Sequence, residues 1–239
     1  IAAEELERER MRRREIQAEA DARMQVAFER WQQSDVGVSC KANRDSLPVH
    51  VLYDPLRDGM EAHQVALVCG ETGSGKSTQV PQMLLEQALA SGRGGSVNII
   101  CTQPRRIAAI SLARRVAAER GEEAGVKGSM VGYQVRLEAR RTDSTRILLF
   151  PYHYPLITLS LPSHYPLITL SLPSHYQVRL EARRTDSTRI LFCTTGIALR
   201  MMLDANPLEG VSHVVVDEVH ERDVQTDQLL LLLRRLMPS

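Results

Sequence analysis

The chain has 239 residues and is nearly neutral, with 30 lysine and arginine residues against 29 aspartate and glutamate residues. This balance excludes a globally basic nucleic-acid-binding protein, so any polynucleotide affinity must come from a local groove. The four cysteines are Cys40, Cys69, Cys101 and Cys193. They are widely spaced and three of them end apolar runs, which indicates buried thiols with no disulfide partner and no zinc site. The sequence shows no signal peptide or membrane span.

The N-terminal segment, residues 1–33, is rich in glutamate, arginine and alanine and contains neither glycine nor proline. Interleaved acids and bases of this kind predict a solvated, charged helix. A coiled-coil segment that docks on a partner is the alternative, although the apolar positions form no clean heptad. Residues 34–48 are predicted to be a linker, and residues 49–239 the main domain.

A phosphate-binding loop is predicted where the sequence G-E-T-G-S-G-K-S-T follows an apolar strand at 64–69 and precedes a helix. Glycines allow a tight turn in which backbone N–H groups converge on phosphate oxygens at the helix N-terminus. Lys76 would reach the β- and γ-phosphates, and the Ser77 hydroxyl would bind Mg²⁺. The alternative is a plain glycine-rich turn. The predicted nucleotide-binding residues are Gly70, Glu71, Thr72, Gly73, Ser74, Gly75, Lys76, Ser77 and Thr78.

Strands and helices alternate through the rest of the chain. We predict strands at 97–101, 188–193 and 214–216 and helices at 107–119, 197–203 and 224–236, in addition to the helix that follows the phosphate loop. This alternation is typical of an α/β fold with a mostly parallel sheet flanked by helices.

The sequence D-E-V-H follows the strand at 214–216. Ligands of parallel α/β sheets gather beyond the carboxyl ends of the strands, so Asp217 and Glu218 should face the same crevice as Lys76. Asp217 would hold Mg²⁺, Glu218 would act as the general base for an attacking water, and His220 is the third polar residue of the tip. Alone, these acids would indicate only a helix cap.

Four motifs in this order, G-E-T-G-S-G-K-S-T, T-Q-P-R-R, T-T-G and D-E-V-H, resemble those of DEAH-box (DExH) RNA helicases of superfamily 2. The resemblance covers residues 41–148 and 192–236. It implies the first RecA-like P-loop NTPase motor domain of such an enzyme, with ATP and Mg²⁺ as cofactors and 3′-to-5′ movement along RNA. It also implies RNA contacts by Thr102, Pro104, Arg105, Arg106, Thr194, Thr195 and Gly196.

Other expectations concern partners and location. RNA is the expected partner, and the N-terminal helix could add a ribonucleoprotein or ribosome-associated one. A cytoplasmic location is favoured over a nuclear one because no compact lysine-rich import signal is present. The chain starts at Ile1 and the resemblance includes no second motor domain, so we expect a fragment that does not unwind RNA alone. The alternatives are an inactive ATP- or RNA-binding remnant and a P-loop ATPase of another branch.

Residues 133–148 recur letter for letter at residues 176–191. So few perfect copies indicate a recent duplication or an assembly artefact rather than an evolved repeat array. Deleting residues 149–191 joins Leu148 to Phe192 and restores T-R-I-L-F-C-T-T-G, so we interpret these residues as a duplicated insert. The second copy should supply the strand at 188–193, and the first copy should be extruded from the sheet.

Overall fold

The computed structural model describes residues 2–136, 180–183, 187–202, 208 and 210–237. Helix α1 (Ala2–Gln33) confirms the predicted N-terminal helix. Helix α2 (Asp35–Asp45) follows at once, because the Ser34 hydroxyl accepts a hydrogen bond from the Gly37 amide and caps it. A 3₁₀ helix (Pro48–Leu52) then leads into α3 (Tyr53–Ala62).

The central elements follow in alternation. The helices are α4 (Lys76–Ala90), α5 (Arg106–Glu119), α6 (Thr195–Met202) and α7 (Val224–Leu236). The strands are β1 (Ile99–Gln103), β2 (Val131–Arg136), β3 (Leu180–Arg183), β4 (Ile190–Thr194) and β5 (His213–Val216). A short 3₁₀ helix (Val219–Glu221) separates β5 from α7.

The five strands form one sheet in the order β3-β2-β4-β1-β5. Strands β2, β4, β1 and β5 are parallel, and β3 is antiparallel to β2. Residue Ile99 of β1 lies opposite Ile190 of β4 and His213 of β5. This mostly parallel sheet with flanking helices is the predicted α/β, RecA-like architecture.

Helices cover both faces of the sheet. Successive residues of a strand point to opposite faces, so Ile99 and Cys101 pack with α4 and α5 whereas Ile100 packs with α6 and α7. Burial raises the pKa of the Cys193 thiol to about 12 and that of Cys101 well above its ordinary value. These two thiols are therefore buried as predicted. Within the described residues, no helix has the length and apolar character needed to cross a membrane.

The strand predicted at 64–69 is wrong. These residues have no strand structure, and the Val65 and Leu67 side chains are 64% and 85% exposed. A strand forms only where its backbone groups find a neighbouring strand, and this segment pairs with none of the described strands. The predicted burial of Cys69 is wrong for the same reason, because its side chain is exposed.

Both copies of the repeated sequence enter the sheet. The first copy begins inside β2, and the second copy supplies β3 and then the start of β4. The prediction that the second copy fills the slot before T-T-G is thus confirmed, since β4 lies between β2 and β1. The predicted extrusion of the first copy is wrong for residues 133–136, which belong to β2. The rest of that copy, residues 137–148, lies outside the described residues, as does most of the insert at 149–191.

Candidate functional site

The phosphate loop turns on two glycines. Gly73 and Gly75 have φ angles of 81° and 95°, in the left-handed region that side chains other than glycine rarely adopt. Helix α4 begins at Lys76, directly after Gly75. The loop therefore enters the N-terminus of a 15-residue helix, as the sequence predicts, and its first four residues, Gly70 to Gly73, are exposed.

Lys76 folds back over the loop. Its Nζ atom donates hydrogen bonds to the carbonyl oxygens of Gly70 and Glu71, both at 2.6 Å, and to Ser74 Oγ at 3.3 Å. All three acceptors are uncharged, so the ammonium group keeps its full positive charge at the mouth of the loop. Among the described residues no carboxylate pairs with Lys76, so an anion bound there would meet a positive charge without an acidic partner.

The first turn of α4 provides free amide donors. The amides of Thr78 and Gln79 donate to the Gly75 carbonyl, at 3.2 and 2.8 Å. Across the described hydrogen bonds, the amides of Lys76 and Ser77 have no acceptor, as expected for the start of a helix. Free amides and the positive end of the helix dipole fit a phosphate group.

The segment before α3 contacts the phosphate loop through Leu47 and Val49. The Val49 amide donates to the Ser74 carbonyl at 3.1 Å. A β-carbon at Gly75 would lie only 3.1 Å from a Leu47 methyl carbon and 3.2 Å from a Val49 methyl carbon. Leu47 and Val49 are not among the predicted site residues, although the sequence L-P-V that contains them lies at the start of the main domain.

The second part of the site lies at the end of β5. Asp217 Oδ2 accepts a hydrogen bond of 2.6 Å from Gln103 Nε2, and Asp217 Oδ1 accepts one of 2.9 Å from the Glu218 amide. The Asp217 amide donates to the Thr102 carbonyl at 3.3 Å. The carboxylate is therefore fixed by the neighbouring strand β1 and by its own turn.

Glu218 occupies an unusual backbone conformation. Its φ angle is 53°, in the left-handed region, and its carboxylate lies 3.3 Å from His220 Nδ1. His220 is mostly exposed, with 79% of its side chain accessible. The predicted base and the third polar residue of D-E-V-H are thus in contact at the surface.

No protein-family model matches the chain, but curated proteins do. The chain is 40% identical over 198 residues to "DExH-box ATP-dependent RNA helicase DExH1" of Arabidopsis thaliana, which covers 83% of the chain and 15% of the relative. It is 39% identical over 223 residues to "ATP-dependent RNA helicase DHX29" of Mus musculus, covering 92% of the chain and 13% of the relative. It is 40% identical over 190 residues to "ATP-dependent RNA helicase DHX30" of Homo sapiens, covering 80% of the chain and 12% of the relative.

The chain belongs to the DEAH-box (DExH) helicase family. It spans about one seventh of the length of the first relatives it matches. The family resemblance inferred from the four ordered motifs is therefore confirmed, together with the α/β fold class that it implies.

The residues that the family resemblance assigned to RNA lie at the carboxyl ends of β1 and β4. Arg105 is exposed and donates through Nη2 to Glu221 Oε1 at 3.0 Å. Thr102 and Thr195 are buried, and Thr195 Oγ1 donates to the Gln103 carbonyl at 3.4 Å. In this DExH-box chain the guanidinium group of Arg105 faces solvent, whereas these two hydroxyls do not. The remaining predicted RNA contacts, Pro104, Arg106, Thr194 and Gly196, are partly exposed.

The described polar contacts group the site residues into two parts. The residues of T-Q-P-R-R, T-T-G and D-E-V-H lie together, through Gln103 and through the Arg105–Glu221 ion pair. Among the described interactions, no hydrogen bond or ion pair joins the phosphate loop to Asp217 or Glu218. The physical reason is that residues 64–69, which lead into the loop, lie outside the sheet.

The donor set fits Mg²⁺ delivered with a nucleotide. No cluster of three or more histidine, cysteine or acidic side chains suited to a metal occurs among the described residues. Mg²⁺ sites of nucleotide enzymes usually combine one or two carboxylates with substrate phosphates and water. Asp217 offers one carboxylate and Ser77 one hydroxyl, both hard oxygen ligands, so the predicted pair suits this kind of site.

Proposed function

We propose that this chain is the ATP-binding motor domain of an ATP-dependent RNA helicase. The observation that carries the proposal is the start of α4, where free amides and the uncompensated charge of Lys76 meet at a glycine turn. Together they offer the donors and the charge that the β- and γ-phosphates of a nucleoside triphosphate require. The names of the relatives supply the reaction class.

The hydrolytic step would use the acids at the end of β5. Glu218 would orient an attacking water and accept its proton, and His220 would hold the Glu218 carboxylate. Asp217 would face the metal with its charged carboxylate. When bound, Mg²⁺ would neutralise charge that develops on the phosphates. Closure of the two parts of the site around a nucleotide would be needed to bring Glu218 to the γ-phosphate.

RNA would bind at the carboxyl ends of β1 and β4. Arg105 lies at the N-terminus of α5 with 75% of its side chain exposed, which suits contact with a phosphate oxygen. Its partner in the structure is Glu221, the last residue of the short 3₁₀ helix after β5. An RNA phosphate would compete with Glu221 for the guanidinium group. The 3′-to-5′ direction of movement is a further part of this proposal, supported by the family resemblance alone.

Nucleotide binding can be tested with the fluorescent analogue mant-ADP. We expect Lys76→Ala to weaken binding at least about tenfold, because one charge-assisted contact to phosphate contributes about 1.5–3 kcal/mol. Lys127→Ala is the matched control, since Lys127 is an exposed lysine distant in sequence from the predicted site. Equal affinities for Lys76→Ala and the unmodified chain would contradict the proposed phosphate site.

Hydrolysis can be separated from binding with Glu218→Gln. We expect this variant to bind mant-ADP normally and to lose the phosphate release that RNA stimulates, because an amide cannot accept the proton of the attacking water. The measurement is phosphate release with and without single-stranded RNA. Unchanged release by Glu218→Gln would exclude this base. If the unmodified chain binds mant-ADP but releases no phosphate from ATP, the result would instead favour an ATP-binding remnant.

A further inference from the structure

Gln103 is the last residue of β1 and is 2% exposed. The parallel register places Thr102 opposite Val216, so Gln103 comes next to Asp217 at the end of the neighbouring strand. Its Nε2 atom donates to Asp217 Oδ2 at 2.6 Å. This hydrogen bond is partly buried. Hydrogen bonds to carboxylates are among the stronger polar contacts of a protein.

Three of the four motifs meet at this residue. Gln103 belongs to T-Q-P-R-R, its side chain holds the aspartate of D-E-V-H, and its carbonyl accepts the Thr195 hydroxyl of T-T-G. The other oxygen of Asp217 accepts the Glu218 amide. One glutamine thus connects β1 and β4 to the turn that carries the predicted base.

An amide is chemically suited to holding a metal-binding carboxylate. It satisfies one lone pair of Asp217 Oδ2 and leaves the negative charge in place, whereas a lysine or arginine there would neutralise it. Each carboxylate oxygen has a second lone pair that can still face a cation. Partners of this kind, which orient a metal ligand without touching the metal, strongly influence metal affinity.

We propose that Gln103 is a positioning residue for Asp217 and, through it, for the Glu218 turn. The inference rests on the proposed function, in which Asp217 faces Mg²⁺ and Glu218 faces the attacking water. Gln103 holds the Asp217 carboxylate in one orientation, and the Asp217 Oδ1 contact then fixes the left-handed turn at Glu218. Loss of the Gln103 amide should therefore reduce the contribution of Mg²⁺ to nucleotide affinity and make the turn at Glu218 less ordered.

The test compares Gln103→Met, which keeps the length of the side chain and removes the donor, with Gln134→Met. Gln134 is a buried glutamine of β2, at 9% exposure, and serves as the matched control. The affinity for mant-ADP is measured in EDTA and across a Mg²⁺ titration. Nucleotide affinity should rise from its value in EDTA as Mg²⁺ is added. We expect Gln103→Met to increase, by about tenfold or more, the Mg²⁺ concentration at which half of this rise is reached. The affinity in EDTA should stay unchanged.

A second measurement needs neither metal nor nucleotide. Hydrogen exchange of the Glu218 amide should be faster in Gln103→Met than in the unmodified chain, while β4 keeps its protection. Gln103→Asn keeps the amide but is one methylene shorter, so it should show both effects if the methionine variant does not fold.

Three results would overturn the proposal. They are an unchanged Mg²⁺ requirement in a folded Gln103 variant, unchanged exchange at Glu218, and equal effects of Gln134→Met. The failure of the proposed function looks different, because the unmodified chain would then bind no mant-ADP that depends on Lys76. In that case the proposed positioning role of Gln103 would also be wrong.

Discussion

At the scale of single residues, Glu218 combines a predicted chemical role with an unfavourable backbone. Its φ angle of 53° lies in the left-handed region, a backbone conformation that is unfavourable by about 1–3 kcal/mol for a residue other than glycine. The turn is retained because Asp217 Oδ1 binds the Glu218 amide and Gln103 holds Asp217. Strained backbone conformations cluster at functional sites, which is consistent with the proposed role of Glu218 in hydrolysis.

We predict that Glu218→Gly stabilises the protein while it abolishes ATP hydrolysis. Relief of the left-handed strain exceeds the greater chain entropy of glycine in the unfolded state, so the free energy of unfolding should rise by about 1 kcal/mol. Denaturant unfolding measures the change. Glu218→Gln keeps the same backbone and should show no gain; a loss of stability in the glycine variant would mean that the Glu218 side chain stabilises the turn.

The sequence predicts many site residues but not their environments. Lys76, Gly73 and Gly75 stand where the glycine motif places them, because local backbone chemistry determines that turn. Gln103 lies inside a recognised motif, yet its role depends on which strand neighbours β1, and sequence periodicity does not give strand order. The burial of Thr102 likewise follows from packing between strands rather than from its own motif.

At the scale of secondary-structure elements, α7 shows how a capping residue fixes the helix behind D-E-V-H. The Asp223 carboxylate accepts hydrogen bonds from the amides of Gln225 and Thr226, at 2.9 and 3.0 Å, and from the Thr226 hydroxyl. Gln225 in turn lies close to Gly196 of T-T-G, where a β-carbon would be 3.3 Å from its Oε1 atom. The cap therefore links the start of α7 to a neighbouring motif.

We predict that Asp223→Ala lowers the free energy of unfolding by about 1 kcal/mol, the usual effect of losing a helix N-cap. Burial by itself would raise the pKa of Asp223, but the hydrogen bonds from Thr226 and Gln225 outweigh it and lower the pKa below its usual value. The contribution is thus complete above the unfolded pKa, near 3.9, and is lost as pH falls through the lower folded pKa.

Denaturant unfolding at a series of pH values checks both statements. The difference between the unmodified chain and Asp223→Ala should be constant near neutral pH and should shrink in acid. Asp227→Ala is a control on the same helix, because Asp227 pairs with Arg222 at the surface. A difference that grows as pH falls would show that the carboxylate is destabilising in the folded state.

The elements that sequence predicted well have strong local signals. Helix α7 has the predicted bounds, and α5 differs from its prediction by one residue, because apolar periodicity defines both helices and the Asp223 side chain caps α7. The run at 64–69 has an equally apolar sequence but forms no strand, since strand formation depends on a partner elsewhere in the chain. Helix α2, inside the segment predicted as a linker, has a serine cap that the sequence analysis overlooked.

At the scale of the whole molecule, a buried polar network joins the N-terminal helices to α4, the helix that follows the phosphate loop. Arg44 of α2 donates to Gln82 at 2.9 Å and to Glu86 at 2.6 Å, both on α4. The guanidinium carbons of Arg44 and Arg120 lie 5.9 and 5.1 Å from the ring centroid of Trp31, the one tryptophan of the chain, and the Trp31 Nε1 atom donates to the Arg120 carbonyl. The end of α1 is therefore packed on the core rather than solvated.

We predict that Arg44→Met destabilises the protein by about 3 kcal/mol, the lower end of the effect of breaking a buried ion pair. The lower end applies because Arg120 remains 3.4 Å from the Glu86 carboxylate. Trp31 emission should shift to longer wavelength as water reaches the indole, and denaturant unfolding gives the free energy.

Arg57→Met provides the comparison for this variant. Arg57 belongs to α3 and pairs with Asp54 and Asp58 at the surface, so its loss should leave stability and emission unchanged. A stable Arg44→Met protein with unaltered emission would mean that the N-terminal helices are held by apolar contacts such as Phe28 alone.

The position of β5 has a consequence for how the protein behaves at high concentration. Among the described strands β5 pairs only with β1, so within that part of the chain its outer edge has no neighbouring strand. The segment at 64–69 also exposes apolar side chains, those of Val65 and Leu67, to which another chain could bind. Open strand edges are templates for pairing with other chains, and each molecule carries both a template and a complementary segment. Strand pairing between copies at these two places should therefore favour self-association as the protein concentration rises.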